Sequence, residues 1–576
     1  MKTLNKKLKH NLVLIFSFIF IIVSCSLPAK AKSNFTVKDT SYSFDNIFPF
    51  DGSVAKVQNS SGLFGLIDEN GSLVLEAKFT SIASFKEGLA VIKRGNECGL
   101  VDQSGKIIVQ PQFKEISDFS KDGIAKINDR NKWGLMNKEG TIITKAEFDS
   151  IYDFQNGYAK VRKGNKYGFI DTTGKLVIPV DFYDERDFQD GLAPVKQNNS
   201  WGILDTKGNF TPLGFKDMQS FQDGVAPVKV DDEWGLSNEK GEIVLKPEYD
   251  NLQFISKGLI KANKQNLYGI IDTKGGRILD IQYNSISLLG DDHLLLQRNS
   301  LYGLADIKGH IISSPAFSWI YEVQEGKAIV DQNGTYGFID MSGKLKLLSQ
   351  FDTIYSFHEG LARVKKGNKY GFIDNLGNIV IDVNFDDASD FNEGLAYVMK
   401  NDGPNNSLND PSYKKYHKWG FITRAGTPVI QRDFNNVTIF QNNAAVVKKD
   451  NNCSVIKNTD VKYINDKKDV DTFKTWKIKF SMPLDDTNKK NDADNTIITS
   501  IDKTMLNNIR VTDSSNKYIN VSFKFVAPDS VIINPPTLGY KPGENYKITI
   551  LNDFLSKSRT SLEPSVTEMN FSVKNN

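Results

Sequence analysis

Residues 167–196, YGFIDTTGKLVIPVDFYDERDFQDGLAPVK, carry the pattern from which most of the chain is built. An aromatic–Gly pair opens a short apolar run, Thr172-Thr173-Gly174 reads as a turn, and residues 175–180 form a second run. An irregular link that holds Phe182 and Phe188 then leads through Asp190-Gly191 into a third run. Turns this short join antiparallel neighbours, so the unit is predicted to be a three-stranded β-meander.

The same pattern recurs about every 34 residues, and a period of 20–50 residues indicates a repeat array. One longer spacing before the last pair reflects an insertion over residues 404–418. The pairs, with Cys98 in the aromatic place of the second, are Phe64-Gly65, Cys98-Gly99, Trp133-Gly134, Tyr167-Gly168, Trp201-Gly202, Trp234-Gly235, Tyr268-Gly269, Tyr302-Gly303, Tyr336-Gly337, Tyr370-Gly371 and Trp419-Gly420.

A unit of this size cannot bury its apolar face alone, so neighbouring units must complete a shared interior. Propellers typically have four to eight blades of four strands. About eleven three-stranded units exceed that number, which favours an open solenoid over a closed propeller. One row of aromatic residues is predicted to form a continuous apolar spine: Phe79, Phe113, Phe148, Phe182, Phe215, Tyr249, Tyr283, Phe317, Phe351 and Phe385.

The repeated motif resembles the WG-repeat (KWG-repeat) family of bacterial proteins over residues 45–460. The features that carry the resemblance are the aromatic–Gly pair, the Asp and Gly that follow it, and the later Phe and Gly-Leu-Ala-x-Val. The resemblance implies a β-rich repeat architecture and a role in interaction. It implies no shared catalytic residues.

The period stops after Cys453, and a charged linker is expected over residues 461–472. Residues 473–576 show alternating strands separated by turns, which is typical of a β-sandwich. Met482-Pro483-Leu484 and the segment from Tyr540 to Tyr546 resemble the S-layer-type Ig-like domain of bacterial surfaces, although the polar stretch 485–495 departs from it. This resemblance implies a spacer or adhesion module.

The N-terminal residues 1–31 are interpreted as a signal peptide. Four lysines precede an apolar run over residues 12–23, which is too short for a spanning helix. Two processing sites compete. A lipobox at residues 22–25 would make Cys25 a candidate for lipidation, whereas an A-x-A site at residues 29–31 would discard it. The protein is therefore expected outside the cytoplasm, lipid-anchored or secreted, with no other membrane attachment.

Charge and cysteine content exclude several classes of function. Loss of the four leader lysines would take the formal charge from +3 to −1, and a near-neutral chain argues against a nucleic-acid binder. Beyond Cys25, the chain has two cysteines, Cys98 and Cys453, at the same repeat position, which offers no disulfide framework. The histidines occupy different repeat positions and offer no pair for a metal or a nucleophile.

Two repeated rows of charged residues could carry chemistry. The first is an Asp ladder, which either caps turns or forms a column of calcium ligands: Asp68, Asp102, Asp171, Asp205, Asp272, Asp306, Asp340 and Asp374. Asn137 and Asn238 stand in the same place and favour the capping role. The second is a basic row, which either guards hairpin ends or binds an anionic polymer: Lys93-Arg94, Arg162-Lys163, Lys196, Lys229, Lys365-Lys366 and Lys448-Lys449.

The aromatic residue of each aromatic–Gly pair is expected to pack between units rather than to line a glycan groove. We therefore predict an all-β protein with an open array and a C-terminal Ig-like β-sandwich. No catalytic, cofactor-binding or metal-binding residues are predicted, and no cofactor. The predicted function is a non-catalytic surface protein that binds or scaffolds an unidentified protein or cell-wall glycan. A polysaccharide-binding adhesin is the alternative, and a glycan hydrolase that uses loop carboxylates is the less favoured one.

Overall fold

The structure, a computed structural model, describes most of the chain after its N-terminal segment. The described residues are 35–120, 122–189, 191–197, 200–256, 258–401, 417–459, 461–463, 467–479, 509–514, 517–519, 521–526, 530–536, 539–551 and 566–574. Every named element in these ranges is a β-strand, as the alternation of aromatic, β-branched and turn residues predicts.

The repeats form antiparallel sheets, twelve within the described residues, and each sheet has four strands. Sheets 1 to 12 are numbered along the chain. Their first strands are β2 (Asn46–Asp51), β6 (Ser81–Ile82), β10 (Glu115–Ile116), β14 (Ser150–Gln155), β18 (Asp184–Glu185), β22 (Asp217–Met218), β26 (Asn251–Ser256), β30 (Ser285–Leu289), β34 (Trp319–Gln324), β38 (Thr353–His358), β42 (Asp387–Ala388) and β46 (Asn436–Val437). Their second strands are β3 (Val54–Gln58), β7 (Leu89–Arg94), β11 (Ile124–Asp129), β15 (Tyr158–Lys163), β19 (Leu192–Gln197), β23 (Val225–Val230), β27 (Leu259–Lys264), β31 (His293–Arg298), β35 (Lys327–Gln332), β39 (Leu361–Lys366), β43 (Leu395–Asn401) and β47 (Ala444–Lys449).

The third strand of each sheet carries the aromatic–Gly pair or its equivalent. The third strands are β4 (Phe64–Asp68), β8 (Glu97–Asp102), β12 (Lys132–Asn137), β16 (Lys166–Asp171), β20 (Ser200–Asp205), β24 (Glu233–Asn238), β28 (Leu267–Ile271), β32 (Leu301–Asp306), β36 (Thr335–Asp340), β40 (Lys369–Asp374), β44 (His417–Thr423) and β48 (Asn452–Asn458). The fourth strands are β5 (Leu73–Phe79), β9 (Ile107–Phe113), β13 (Ile142–Phe148), β17 (Leu176–Phe182), β21 (Phe210–Phe215), β25 (Ile243–Tyr249), β29 (Arg277–Tyr283), β33 (Ile311–Phe317), β37 (Leu345–Leu347), β41 (Ile379–Phe385), β45 (Pro428–Phe434) and, for sheet 12, β1 (Phe35–Asp39).

The two ends of the array meet. β1 pairs antiparallel with β48, beginning with Phe35 opposite Asn458. Beside this pairing, Phe50 of sheet 1 shares an apolar core with Val446 of sheet 12. Similar cores lie between all other consecutive sheets, so the array is a closed, propeller-like ring.

The predicted all-β class and tandem arrangement are confirmed, while three details of the repeat differ. The irregular link contains a further strand, which is the first strand of each sheet. The sequence did not predict it, because β18 and its equivalents can be as short as two residues and leave no periodic signal. A twelfth sheet follows the eleven predicted units. Its third strand, β48, has Cys453-Ser454 in place of the aromatic–Gly pair, and the N-terminal β1 supplies its fourth strand. That pairing also corrects the favoured open form to a closed ring, since sheet 12 packs on sheet 1.

The strands of each sheet run between two faces of the ring. The upper face carries the turn between first and second strands, here named the inner turn, and the turn between third and fourth strands. The lower face carries the turn between second and third strands. The first strands β34 and β38 of adjacent sheets touch, whereas fourth strands expose side chains such as Ile243 and Val244. The first strands therefore form the inner rim of the ring.

The glycine of each aromatic–Gly pair is required by a close backbone approach. In sheet 4 the pairing of β16 with β17 shifts register around Gly168, because β17 bulges opposite this residue of the third strand. A Cβ atom at Gly168 would lie 2.5 Å from the carbonyl oxygen of Ile178. The preceding Tyr167 pairs with Phe182, the spine residue that ends the fourth strand. The burial predicted for the spine residues is confirmed, since all of them are buried or half-buried between sheets. They do not form one continuous spine, because each lies in a separate core between two consecutive sheets.

The C-terminal part is a β-sandwich of two sheets. One sheet contains β49 (Val461–Tyr463), β50 (Lys467–Val470), β52 (Ile509–Asp513), β55 (Asn545–Leu551) and β56 (Val566–Val573), and the other contains β51 (Trp476–Lys479), β53 (Ser522–Val526) and β54 (Ser530–Asn534). Trp476, Val531 and Phe571 meet in the core between them. Residues 461–472 are not a free linker, because β49 and β50 both pair parallel with β56.

Several expectations lie outside the described residues. These are the signal peptide over residues 1–31, with Cys25 and both processing sites, the Met482-Pro483-Leu484 motif, the polar stretch 485–495 and most of the insertion before Trp419. Among the described residues, no helix is long and apolar enough to cross a membrane.

Candidate functional site

The Asp ladder caps the turns of the upper face. In sheet 4, Asp171 Oδ1 accepts hydrogen bonds from the backbone N–H groups of Thr173 at 2.9 Å and Lys175 at 3.0 Å. Asn238 Oδ1 accepts the equivalent pair of bonds in sheet 6, both at 3.0 Å. Hydrogen bonds from Asn209 lower the pKa of Asp205. The capping role is therefore confirmed, since an uncharged amide replaces the carboxylate without loss of the turn.

No group of three or more His, Cys, Asp or Glu side chains is arranged to hold a metal ion in the described part of the chain.

The basic row lies on the lower face, where its charges meet partners in the preceding sheet. Lys163 Nζ lies 2.8 Å from Glu147 in β13, the fourth strand of the preceding sheet. Lys449 pairs in the same way with Asp433. The guanidinium of Arg94 lies 5.0 Å from the centroid of the Phe79 ring. These partners favour the structural role of the row over binding of an anionic polymer.

The aromatic residues of the aromatic–Gly pairs pack between sheets, as predicted. Trp201 is 2% exposed and Trp234 is 9% exposed, and the remaining aromatic members are half-buried. Cys98 and Cys453, at the same repeat position, are buried free thiols. Burial raises the pKa of both thiols, as expected for small apolar core residues.

The inner turns of the upper face are joined by carboxylate-to-amide hydrogen bonds between consecutive sheets. Glu325 accepts from the backbone N–H groups of Glu359 and Gly360, at 2.5 and 2.8 Å. Glu359 in turn accepts from Gly394 at 2.8 Å, and Glu393 accepts from Asn443 at 2.7 Å. Each such acid thus fixes the position of the next inner turn.

Two carboxyl groups of the ring are strongly perturbed by burial. Burial raises the pKa of Glu325 to about 7, against the hydrogen bonds that lower it. Burial also raises the pKa of Glu185 to about 7, against the attraction of Lys160, whose Nζ lies 3.2 Å away. Glu185 stands in β18 at a position that is apolar in the other described sheets. Perturbed carboxyl groups often mark function, but both of these lie inside inter-sheet contacts.

The C-terminal domain docks on the upper face through basic residues that meet inner-turn acids. Arg510 forms an ion pair with Glu359, and the two side chains are 8% and 0% exposed. The same guanidinium donates to the Tyr518 hydroxyl at 3.3 Å. Lys547 Nζ lies 3.9 Å from Glu393 in the adjacent sheet.

Two exposed pairs extend this contact to sheets 8 and 9. Lys541 Nζ lies 3.6 Å from Asp291, and Lys517 Nζ lies 3.8 Å from Glu322. The four cations therefore reach sheets 8 to 11, at three inner turns and at Glu322 near the end of β34. No pattern in the sequence predicted this docking, because the acids are spaced like ordinary turn residues and their partners lie in another domain.

A cleft of about 1080 Å³ lies beside this contact, between the C-terminal domain and sheets 1, 2 and 12. Lys56, Phe85 and Gln441 contribute from the ring, and Lys468 and Tyr546 contribute from the C-terminal domain. Ligand sites occur preferentially at such domain boundaries, so the cleft is a candidate binding surface.

Comparisons with known proteins identify the repeats. A model described as WG containing repeat matches residues 64–98, 99–133, 133–167, 167–201, 201–234, 234–268, 302–336, 336–370, 370–403 and 419–453, which is more than half of the chain. No curated protein matches the chain.

Solved structures match at low identity. A eukaryotic initiation factor shares 12% identity over 63% of this chain and 99% of that chain, with a TM-score of 0.29. BamB from Moraxella catarrhalis shares 12% identity over 46% of this chain and 97% of that chain, with a TM-score of 0.24. The extracellular domain of a hybrid two component system from B. thetaiotaomicron shares 11% identity over 92% of each chain, with a TM-score of 0.17.

Each matched stretch contains the aromatic–Gly strand or its equivalent and the turn that follows it, which are the elements that set the close approach of third and fourth strands. The chain therefore belongs to the WG containing repeat family.

Proposed function

We propose that this protein is a non-catalytic binding or scaffold protein that acts outside the cytoplasm, and that the ring and its docked domain form its interaction surface. The supporting observation is that the repeated charged residues serve turns and ion pairs, while a large cleft remains between the two domains. A ring of regular sheets provides a rigid frame, and binding residues are commonly placed on such a frame.

The proposed location rests on the leader sequence. Residues 1–31 have the basic and apolar segments of a signal peptide, and Cys25 is the candidate for lipidation. Membrane fractionation of cells that express the wild-type chain or Cys25→Ser separates the two forms. Loss of the protein from the membrane fraction in Cys25→Ser supports the lipid anchor, and unchanged membrane association contradicts it.

The binding function is tested by retention. Purified protein is applied to isolated cell walls and to an immobilised fraction of secreted proteins. We expect saturable retention on one of the two. If neither retains the protein, and a glycan panel is instead hydrolysed in a way that one Asp or Glu substitution abolishes, the protein is an enzyme and the proposal is wrong.

A further inference from the structure

Trp319 departs from the repeat at the inner rim. In sheet 9 it begins β34 on the lower face, and its side chain is 43% exposed. The other described sheets have a polar residue in this position: Asn46, Ser81, Glu115, Ser150, Asp184, Asp217, Asn251, Ser285, Thr353, Asp387 and Asn436. Packing does not explain a large exposed aromatic where the repeat otherwise carries a polar side chain.

Trp319 belongs to a group of aromatic residues on three consecutive sheets. Its ring centroid lies 4.7 Å from that of Tyr302 in sheet 8. Two residues further along β34, Tyr321 is 38% exposed and its ring lies 6.4 Å from Tyr336.

Sheet 10 repeats the arrangement with Tyr355 and Tyr370, whose ring centroids are also 6.4 Å apart. Because β34 and β38 touch, the three pairs are neighbours on the ring. We name this group the aromatic strip; it consists of Tyr302, Trp319, Tyr321, Tyr336, Tyr355 and Tyr370. A contiguous group of partly exposed aromatics marks an interaction site more strongly than single exposed residues do.

The polar edges of the strip are held in place by hydrogen bonds. The Tyr336 hydroxyl is hydrogen-bonded to that of Tyr321, which is the main reason that the pKa of Tyr321 is raised to about 12. The Gln297 amide donates to the Tyr302 hydroxyl at 3.2 Å. The rings therefore combine fixed apolar faces with uncharged hydroxyl edges.

The charged groups around the strip offset one another. Asp331 lies opposite Trp319 on the neighbouring strand, and Glu322 follows Tyr321. The one guanidinium against the strip, that of Arg363, already donates to Asp390 at 2.9 Å. Glu322 faces Lys517, and Lys365 Nζ lies 5.6 Å from the centroid of the Tyr370 ring. Acidic and basic groups around the strip are therefore balanced, and a neutral chain meets no excess charge of either sign.

We propose that the aromatic strip binds a neutral polysaccharide chain. A sugar ring presents polarised C–H groups on its face and hydroxyls on its edge. The negative face of an aromatic ring attracts the C–H groups, while phenol and amide edges bond to the hydroxyls. Three sheets in a row match a chain of sugars rather than a single one. This inference rests on the proposed binding function and assigns its ligand class.

A peptide is the other occupant to consider. An extended peptide would pair with the open inner edge of β34 through backbone hydrogen bonds, which needs no row of aromatic faces. Six aromatic side chains with no aliphatic member among them favour stacking of sugars over insertion of apolar peptide side chains.

Titration calorimetry with cellohexaose, chitohexaose and maltohexaose tests the proposal on the purified protein. We expect at least one hexasaccharide to bind. Trp319→Ala should raise its Kd by about tenfold or more, because the variant loses a stacking contact with a sugar ring. Trp319→Phe should recover part of the affinity. Tyr183→Ala is the matched control, because Tyr183 is 63% exposed but lies outside the strip and should leave Kd unchanged.

Two results would overturn the proposal. One is wild-type protein that binds none of the three sugars at millimolar concentration, and the other is Trp319→Ala with wild-type affinity and a wild-type melting curve. A triple variant, Trp319→Ala with Tyr321→Ala and Tyr355→Ala, separates this inference from the proposed function in the retention assay. Undiminished retention of the triple variant on isolated cell walls would leave the binding function in place and refute the glycan strip.

Discussion

The contacts between neighbouring sheets and the contact between the ring and its C-terminal domain are built from different interactions. Consecutive sheets share cores of fully buried side chains, such as Phe372 and Phe391 between sheets 10 and 11. The domain contact instead uses four cations that meet carboxylates of the ring. In two of these ion pairs, each side chain is about half exposed or more. Salt does not screen the burial of apolar area, whereas it does screen exposed ion pairs. The comparison indicates a permanent ring and a separable domain.

The largest effect is expected inside the ring. Phe372 is fully buried, and its ring lies 4.8 Å from that of Phe391. Phe372→Ala removes this contact and leaves a cavity, which should lower the free energy of unfolding by about 3–5 kcal/mol. Chemical denaturation measures the change. Phe473→Ala, at a side chain that is 61% exposed, is the control and should change little. Equal stability of the two variants would contradict the apolar ring interior.

Arg510→Ala should break the domain contact without unfolding the ring. The substitution leaves the Glu359 carboxylate buried without its partner, a change that typically costs about 3–5 kcal/mol. We expect the C-terminal domain to detach, which small-angle scattering would detect as an increase in the radius of gyration. The ring's thermal transition should stay close to that of the wild type. If Arg510→Ala also lowered the melting temperature of the ring, the docked domain would be shown to stabilise the ring.

The buried Glu185 makes the ring sensitive to pH. Because burial raises its folded-state pKa from 4.5 to about 7, the folded form binds more protons between these values, and stability falls as pH rises through that window. Its share of the loss between pH 5 and pH 8 should be roughly 2–3 kcal/mol. Glu185→Gln should flatten the pH profile in denaturation experiments. Glu147→Gln, at a carboxylate that is 54% exposed, should not.

The smallest effect is expected at the edge of the domain contact. Lys541 and Asp291 are 68% and 58% exposed, so water and salt screen their attraction. Lys541→Ala should weaken docking by less than about 1 kcal/mol. Its scattering profile should match that of the wild type at low salt, in contrast to Arg510→Ala. Detachment of the domain in Lys541→Ala would show that the exposed pairs dominate the contact.

The sequence predicted the repeat and its interior because both leave periodic signals. Tyr167, Gly168 and Phe182 recur at fixed spacing, and the structure uses them in one local contact between third and fourth strands. Ring closure left no such signal. It depends on β1, a strand of five residues that carries none of the repeat motif. Its partner β48 lies at the far end of the array.

The binding surfaces were harder to predict for a related reason. The capping role of the Asp ladder could be deduced because Asn replaces Asp in two units. Docking of Arg510 on Glu359 joins two domains, and no spacing rule links residues so far apart. The departure of Trp319 from a polar position was visible in principle, but only after the first strand had been recognised as a strand. Glu185 was hidden for the same reason.

Closure by β1 sets an order on assembly. Thr40, just after β1, bonds to the carbonyl of Cys453, 413 positions later. Synthesis of the chain starts at its N-terminus, so the strand that completes sheet 12 is made first and finds its place last. Contacts between such distant segments form slowly. Until β48 has been made, β1 lacks its partner and the growing arc of sheets stays open.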